Sequence, residues 1–276
     1  MPLNGSSFTS LNLPSAFTLP RCMEYFTVTA GPNTDLWRKP GVRDTATAPI
    51  VFTSLRRRFE VAEVTVTADW EMEWDQGGLV IFAGAAPQSS EDGPMHHVPL
   101  SPPLPGTSPA AAAAAARLGA TPHANVSPGK WVKAGMEFCS GTMNVSSVSA
   151  TVDGADWCAS PLSYPEHGPA MVHSLRIKLE RVGHALWIWY QVPAVAAPYA
   201  MMTSGALPSG MWRKLREVTW FFYGVEDKFV HVGVYASRPN RLSRSATIWE
   251  MMNGDGAEGT GAADGLVVEF EDLEIS

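Results

Sequence analysis

Residues Glu60–Gly84, with the sequence EVAEVTVTADWEMEWDQGGLVIFAG, decide the fold of this chain. From Val64 to Asp75, apolar residues occupy the even positions and polar residues occupy the odd positions. Successive side chains of a β-strand point to opposite faces, so this pattern predicts a half-buried antiparallel strand. An acidic turn bearing Trp74 follows, and a second apolar strand begins after it. The stretch is therefore predicted to form a hairpin that is the framework of a sheet.

The rest of the chain continues this series of short strand patterns. Pro (22 residues) and Gly (24 residues) recur throughout, and long helical periodicity is almost absent. We count about ten to twelve strands, a number typical of a jelly roll. Besides the opening stretch, strands are expected at 23–29, 48–55, 130–138, 146–152, 175–179, 186–191, 217–223, 230–237 and 266–275. The 276 residues are thus predicted to form a single all-β sandwich domain.

Several segments are expected to lie outside the strands, among them Pro/Ala-rich and Gly-rich loops at 192–210 and 253–265. Residues 1–20 are predicted to be an irregular lead-in, and residues 85–128, rich in Pro, Ser, Gly and Ala, a low-complexity insertion loop. Residues 34–42 are predicted to be a turn-rich loop, and Asp153–Trp157 a turn.

The sequence contains no pattern that predicts a metal or a cofactor. His96 and His97 are adjacent in the insertion, but two histidines form a metal site only if other ligands approach them. The three cysteines, Cys22, Cys139 and Cys158, are odd in number and have no metal-ligand spacing. They are predicted to be reduced and structural or inert, as is usual in the cytoplasm.

The formal net charge of −7 argues against nucleic acid or an anionic membrane as the main partner. The first residues lack a basic segment followed by an apolar one, and no apolar run approaches membrane-spanning length. We therefore expect a cytoplasmic protein. The sequence does not indicate its oligomeric state.

Eight short segments, taken in chain order, resemble the DUF1349 family. They are DLWRKPG (35–41), EWDQGGLVIF (73–82), KWVKAGMEF (130–138), DGADW (153–157), LWIWYQ (186–191), WRKLREVTWFF (212–222), VHVGVYASRP (230–239) and VEFEDLEI (268–275). That family resembles the concanavalin A-like lectins and glucanases and includes a yeast protein named for regulation of enolase. The resemblance spans Tyr25 to Ile275. It implies a concanavalin A-like jelly-roll sandwich of two antiparallel sheets with long Pro/Ala-rich loops, often with a concave face suited to sugars.

One hypothesis for function is glycoside hydrolysis by Glu71, Glu73 and Asp75, which share the odd positions of the opening strand. Strand neighbours at i and i+2 lie about 6.5–7 Å apart, a spacing compatible with both retaining and inverting glycosidases. Glucanases of the superfamily carry a Glu-x-Asp-x-Glu run, from which this order departs. The alternative is an acidic turn in which Asp75 caps backbone amides. The sequence favours a protein that is not an enzyme but leaves the question open.

A second hypothesis is a non-catalytic module that binds carbohydrate or a polar metabolite. Aromatic rings stack on sugar C–H surfaces, while polar side chains bind the hydroxyl groups. The candidate ligand-binding residues are Asp75, Gln76, Trp131, Lys133, Glu137, His231, Tyr235 and Arg238. The strand residues among them are expected to converge on one open concave face. Two alternatives remain: Lys133 and Glu137 form a surface pair, and Arg238 clamps Asp75 or Glu137 within the protein instead of an anion.

A third hypothesis is a protein-interaction or regulatory factor of carbohydrate metabolism, whose partner would be a metabolic enzyme. The cations predicted to form the rim of that interface are Arg38, Lys39, Arg213, Lys214, Arg216, Arg238 and Arg241.

Overall fold

The computed structural model describes residues 3–40, 44–84, 129–162, 172–192, 210–225, 229–240 and 265–276. These residues form fifteen β-strands and one short 3-10 helix, Gly5–Ser7. The strands are β1 (Phe8–Leu11), β2 (Tyr25–Ala30), β3 (Leu36–Trp37), β4 (Thr45–Ala46), β5 (Ile50–Leu55), β6 (Val61–Ala68), β7 (Gln76–Ala83), β8 (Lys130–Cys139), β9 (Thr142–Thr151), β10 (Gly154–Pro161), β11 (Ser174–Val182), β12 (Ala185–Gln191), β13 (Arg213–Val218), β14 (Val230–Ser237) and β15 (Leu266–Ile275). The insertion 85–128, with His96 and His97, lies outside the described residues, as does Arg241.

Two large sheets contain thirteen of these strands. The seven-stranded sheet has the order β1-β5-β14-β7-β8-β9-β10, and the six-stranded sheet has the order β13-β12-β11-β6-β15-β2. Neighbouring strands within both sheets are antiparallel. The all-β sandwich of two antiparallel sheets is therefore confirmed. β3 and β4 form a separate two-stranded ribbon that is not hydrogen-bonded to either large sheet as a further strand.

The main core lies between the two sheets, and the period-two pattern of the sequence fills it. In β6, Val64, Val66 and Ala68 are buried in the core, while Thr65 and Thr67 between them are only partly buried. The alternate residues of β8 and β14 fill the facing side of the core, namely Val132, Ala134, Met136, Val230, Val232, Val234 and Ala236. Burial of apolar side chains at roughly 25 cal/mol per Å² is the main force that holds the sheets together.

A second hydrophobic cluster covers the opposite face of the seven-stranded sheet. Leu36 of the small ribbon packs there against side chains of the sheet, including Phe82, Trp131 and Tyr235. Consequently β7, β8 and β14 are buried on both faces. This double burial explains why the second half of the opening stretch is a continuous apolar run instead of an alternating one.

The predicted hairpin at Glu60–Gly84 is wrong, because its two strands lie in different sheets. β6 pairs with β11 and β15, whereas β7 pairs with β14 and β8. β6 ends at Ala68, and Trp70 then turns inward to the core, where its Nε1 donates to the carbonyl oxygen of His173 over 3.0 Å. Residues 69–75 thus carry the chain from one sheet to the other.

Several further boundaries differ from the sequence prediction, including that of the turn-rich loop at 34–42, which contains β3. The lead-in 1–20 contains β1, which pairs with β5. The DGADW segment is largely strand, because the turn at Val152 and Asp153 is short and β10 begins directly after it. The strand expected at 217–223 is instead β13, which ends at Val218. The aromatic residues after it suggested a strand, but they belong to a turn that places Phe221 and Phe222 in the core.

Gly135 of β8 should be intolerant of substitution. A Cβ atom at this position would overlap the carbonyl oxygen of Gly77 on the adjacent strand, and both groups are fixed backbone. We expect Gly135→Ala to lower the free energy of unfolding by about 3 kcal/mol, the upper range for overpacking. Gly31→Ala is the matched control, because a Cβ there meets nothing within 4 Å. Urea denaturation of both variants measures the difference, and equal stabilities would contradict the close approach of β7 and β8.

Candidate functional site

The predicted ligand-binding residues on the strands share one face of the seven-stranded sheet. In one row across the sheet, His231 lies beside Phe82, which lies beside Trp131. In the row at the opposite end, Ser237 lies beside Gln76, which lies beside Glu137. Tyr235 and Lys133 occupy the rows between them. All the predicted binding residues are buried in the folded chain, so this face is not open in the way that was expected.

Trp131 is held in place by a pair of charged residues. Its side chain is 1% exposed, and its Nε1 donates to Oδ2 of Asp44 over 3.1 Å. Asp44 also accepts two hydrogen bonds from Arg38, whose guanidinium lies 5.9 Å from the Trp131 ring centroid. Arg38 donates in addition to the carbonyl oxygens of Gly129 and Thr151. These contacts give Trp131 and Arg38 a structural role at this end of the sheet.

Both ring nitrogens of His231 have partners within the fold. Nε2 lies 3.1 Å from the carbonyl oxygen of Gly84, which can only accept, so Nε2 carries the proton. Nδ1 then accepts a hydrogen bond from Oγ of Ser54 at 2.8 Å. Burial lowers the pKa of His231, and the hydrogen bond to Gly84 opposes this only in part. His231 is therefore a neutral structural residue.

At the other end of the face, Arg238 and Asp75 form a buried ion pair. Nε and Nη2 of the guanidinium each donate to a different carboxylate oxygen of Asp75 over 2.8 Å. Asp75 is 0% exposed and Arg238 is 3% exposed. The expected intramolecular clamp is thus confirmed, and it uses Asp75 instead of Glu137. Such a bidentate arrangement is among the stronger hydrogen-bonded ion pairs in proteins.

Asp75 also stabilises the turn that precedes it. Its Oδ2 accepts hydrogen bonds from the backbone N–H groups of Glu71 and Met72, at 3.3 and 3.0 Å. The predicted capping role is therefore confirmed. The turn places Trp74 at a φ of 72°, in the left-handed region that a bulky residue seldom adopts. The backbone N–H of Trp74 donates to the carbonyl oxygen of Phe138 over 2.7 Å, which holds it there.

The three candidate catalytic carboxylates do not share a strand face. Glu71 is exposed on the turn, and Glu73 accepts a hydrogen bond from the backbone of Ser140 over 2.9 Å. Asp75 points the other way, into its ion pair with Arg238. The expectation of a shared face assumed that the strand continued to Trp74, whereas it ends at Ala68.

Two half-exposed tryptophans flank the polar end of the face. Trp74 and Trp157 are each 42% exposed, and their rings meet at 69° with centroids 6.1 Å apart. Trp157 donates from Nε1 to Oε2 of Glu137 over 3.0 Å. The Oε1 atom of Glu137 has no hydrogen-bond donor among the residues that the structure describes. We call these three residues the tryptophan–carboxylate site.

Further polar groups lie next to this site in the sheet. Lys133 is 2% exposed, and its Nζ pairs with Oδ1 of Asp35 at 3.0 Å, so it does not form the expected surface pair with Glu137. Lys133 Nζ also lies 5.5 Å from the ring centroid of Tyr235. The Tyr235 hydroxyl donates to Oε1 of Gln76 over 3.5 Å. Burial raises the pKa of Tyr235 well above its ordinary value, and the negative charges of Glu137 and Asp35 add to this, so the hydroxyl stays protonated.

Arg238 connects the two parts of this polar end. Its backbone N–H donates to Oγ1 of Thr34, whose N–H donates in return to the Arg238 carbonyl oxygen. This pairing fixes the segment that delivers Asp35 to Lys133. Arg238 is therefore a positioning residue for both Asp35 and the turn bearing Trp74.

Sequence reasoning missed three residues of this region, namely Trp74, Trp157 and Asp35, as ligand-binding candidates. Trp157 stood in the DGADW segment, where the short Asp-Gly turn obscured the strand that aims its side chain at this face. Trp74 occupies an apolar even position of the opening pattern, and that pattern does not indicate that its ring faces solvent. A signal was present for Asp35, because it opens the DLWRKPG segment that resembles the family.

Among the described residues, no group of three or more His, Cys, Asp and Glu side chains could hold a metal ion. No helix within the described ranges is long and apolar enough to cross a membrane. Cys22, Cys139 and Cys158 are free thiols. Burial, followed by the charges of Glu137 and Glu73, raises the pKa of Cys139, which keeps this thiol protonated and poorly reactive.

Breaking the buried ion pair should cost much more than breaking an exposed one. Asp75→Asn leaves the Arg238 guanidinium buried without its counter-charge, so we expect a loss of about 3–5 kcal/mol in the free energy of unfolding. As a control, Glu63→Gln weakens the partly exposed Glu63–Arg176 pair and should cost about 1 kcal/mol or less. Guanidinium denaturation compares the two variants, and a similar small loss in both would show that the buried pair is not a major constraint.

His231 should make the protein less stable as the pH falls. Because its pKa is lower in the folded state, the unfolded chain binds a proton at a higher pH, near the ordinary value of about 6.5. The contribution of neutral His231 to the free energy of unfolding is therefore fully present above that pH, and it is lost as the pH falls towards the folded-state pKa. In His231→Gln this loss should be absent. Thermal unfolding of both proteins between pH 8 and pH 5, a range of about three units around that value, measures it, and parallel curves would contradict the assignment.

Comparisons with known proteins agree with the fold. A family model described as "Protein of unknown function (DUF1349)" matches residues 11–276. An uncharacterised protein from Emericella nidulans is 27% identical over 216 residues, which are 78% of each chain. A functionally unknown protein from Saccharomyces cerevisiae has a similar structure, with a TM-score of 0.58, 16% identity and coverage of 99% of this chain and 98% of the other. A GH43 protein, BlXynB from Bacillus licheniformis, matches at a TM-score of 0.46 with 9% identity, and the match covers 91% of this chain and 32% of that one. The family match covers nearly the whole chain, so this protein belongs to the DUF1349 family.

Proposed function

We propose that this protein is a non-catalytic cytoplasmic β-sandwich protein that binds a carbohydrate or another polar metabolite at the tryptophan–carboxylate site. The observation that carries the proposal is the conformation of Trp74. A positive φ is unfavourable for a bulky residue, and the backbone of Trp74 adopts it in a turn that leaves the ring exposed to solvent instead of buried. Residues held in such conformations by their surroundings are concentrated at ligand-binding sites.

The chemistry of the site suits a ligand that has both an apolar face and hydroxyl groups. The rings of Trp74 and Trp157 offer stacking surfaces of the kind that bind sugar C–H groups. Below them, Oε1 of Glu137 is a charged acceptor for a hydroxyl donor. This oxygen is not among the buried side-chain atoms that lack a partner in the described part of the chain, so it is open to solvent, and a ligand hydroxyl could donate to it.

The environments of the carboxylates favour binding over hydrolysis. A glycosidase needs two carboxyl groups on opposite sides of the scissile bond. Asp75 is paired with Arg238, and Asp35 is paired with Lys133, so each already has a structural partner.

Free thiols at Cys22, Cys139 and Cys158 support a cytoplasmic location, because cysteines of a secreted protein are commonly oxidised.

Isothermal titration calorimetry after a glycan-array screen tests the proposal. We expect Trp157→Ala to weaken binding of the selected glycan by about tenfold or more, because truncating an aromatic anchor commonly costs over 1.4 kcal/mol. Glu137→Gln retains the acceptor for Trp157 but loses the charge, and it should weaken binding as well. Tyr25→Ala is the matched control, since Tyr25 is an exposed aromatic residue of the six-stranded sheet.

Two results would contradict the proposal. One is a glycan whose affinity is the same for wild type and Trp157→Ala. The other is the release of reducing sugar by wild type that is abolished in Glu137→Gln, because turnover would make the protein an enzyme.

A further inference from the structure

The end of the sandwich opposite the tryptophan–carboxylate site has a different surface chemistry. β7 and β14 run between the two ends, because Gln76 pairs with Ser237 at the site end and Ala83 pairs with Val230 at the far end. The far end consists of the 56–60 turn, the 182–184 turn, the 219–225 turn and Phe229. We call it the arginine–aromatic end.

Three consecutive arginines lie exposed on this end. Arg56, Arg57 and Arg58 are all exposed, and none forms a hydrogen bond or ion pair with the residues that the structure describes. These three arginines are not the cations that the third hypothesis predicts to form the rim of an interface. Of those, Arg38 and Arg238 are buried in ion pairs, and Arg216 pairs with Asp156.

Exposed apolar side chains accompany the arginines. Tyr223 is 68% exposed, Phe229 is 59% exposed and Val182 is 42% exposed. Single exposed apolar residues are normal on a protein surface, but aromatic and aliphatic side chains beside a group of arginines are the combination that is typical of a protein interface. Trp74 and Trp157, by contrast, belong to the site already described.

Contacts beneath the surface connect the basic and aromatic residues of this end. Phe59, next to Arg58, stacks on Phe222 with ring centroids 5.9 Å apart, and Tyr223 follows Phe222. The His184 ring lies 5.8 Å from that of Tyr223, which joins the 182–184 turn to this group. On the other side, Val230 pairs with Leu55, so the adjacent Phe229 lies next to Arg56.

The charges of this end are mainly positive. Arg181 lies over the Phe222 ring at 4.3 Å, and Lys130 donates to the carbonyl oxygen of Tyr223. Glu60 is the acidic residue of the 56–60 turn.

We infer that the arginine–aromatic end binds a partner protein through a segment in which acidic residues flank an aromatic or aliphatic anchor. Exposed Tyr, Phe and Arg side chains are the types enriched in protein interfaces. The exposed arginines attract carboxylates, and the apolar side chains receive the anchor. The overall charge of −7 opposes approach to an extended anionic surface such as a membrane, whereas a short segment meets only the local positive charge. The interface does not depend on the proposed ligand site.

Fluorescence anisotropy with a labelled acidic peptide tests the inference on the full chain. The probe is a peptide of repeated Glu-Glu-Phe-Glu units, and its counterpart replaces every Glu by Gln. We expect the acidic peptide to bind wild type at low salt and the Gln peptide to bind at least about tenfold more weakly, because the charge complementarity is lost. Arg56→Glu combined with Arg58→Glu should weaken the acidic peptide by about tenfold or more.

The control variant has the same change in net charge at a distant place. Arg213→Glu combined with Lys214→Glu alters two cations at the start of β13, the end of that strand away from the 219–225 turn, and it should change the affinity by less than about twofold at physiological salt, where distant charges are screened. For the apolar part, Phe229→Ser should weaken binding, whereas Tyr25→Ser should leave it unchanged.

Three outcomes would overturn the inference. The first is an equal loss of binding in the two charge-reversal variants, which would indicate general electrostatic attraction. The second is no detectable binding of the acidic peptide to wild type at low salt. The third is binding of wild type to phosphatidylserine vesicles, lost in the Arg56/Arg58 variant, in place of peptide binding. Glycan binding measured on the same Arg56/Arg58 variant separates a failure of this interface from a failure of the ligand site.

Discussion

The ion pair between Arg238 and Asp75 is the interaction on which the polar end of this molecule depends. Both partners are buried, and removing a charge from water is expensive unless the geometry of the pair is good. Here each carboxylate oxygen is bound by a separate guanidinium nitrogen, and the carboxylate also accepts two backbone hydrogen bonds. The pair thereby fixes the chain at the point where it crosses from the six-stranded sheet to the seven-stranded sheet.

The ion pair also fixes the positions of side chains that it does not contact. The capped turn ends in Trp74, which is why this aromatic residue is presented to solvent beside Trp157. The backbone of Arg238 pairs with Thr34, and the next residue, Asp35, neutralises Lys133. One buried charge pair therefore organises an aromatic surface on one side and a second ion pair on the other.

The sequence predicted the strands well wherever burial follows a simple period. Val64, Val66 and Ala68 are apolar at every second position because one face of β6 meets the core, and β14 begins and ends where its pattern does. The resemblance to DUF1349 correctly indicated the two-sheet sandwich. The pairing of strands was less accessible, because a period of two reports which face is buried and not which neighbour lies alongside. That is why β6 and β7, adjacent in the chain, were expected to pair although they lie in different sheets.

The site was only partly predictable for a related reason. Polar residues such as Lys133 and Glu137 were correctly assigned to one face, yet alternation cannot reveal that the segment around Leu36 covers that face. Trp131 and His231 looked like binding residues, but partners from distant parts of the chain, Asp44 and Gly84, satisfy them. Such partners are long-range contacts, and local sequence patterns carry no information about them.

The separation of Arg238 and Asp75 along the chain also affects the stage of folding at which the polar end can be assembled. These residues are 163 positions apart, so their contact closes a very large loop, and long-range pairings of this kind form slowly during folding. Trp74 and Asp35 acquire their positions only after β14 has docked between β5 and β7. The polar end is thus completed only when β14 is in place, and a chain interrupted before β14 would possess most of the strands of both sheets but not the arrangement of Trp74, Asp35 and Lys133 that the native protein presents.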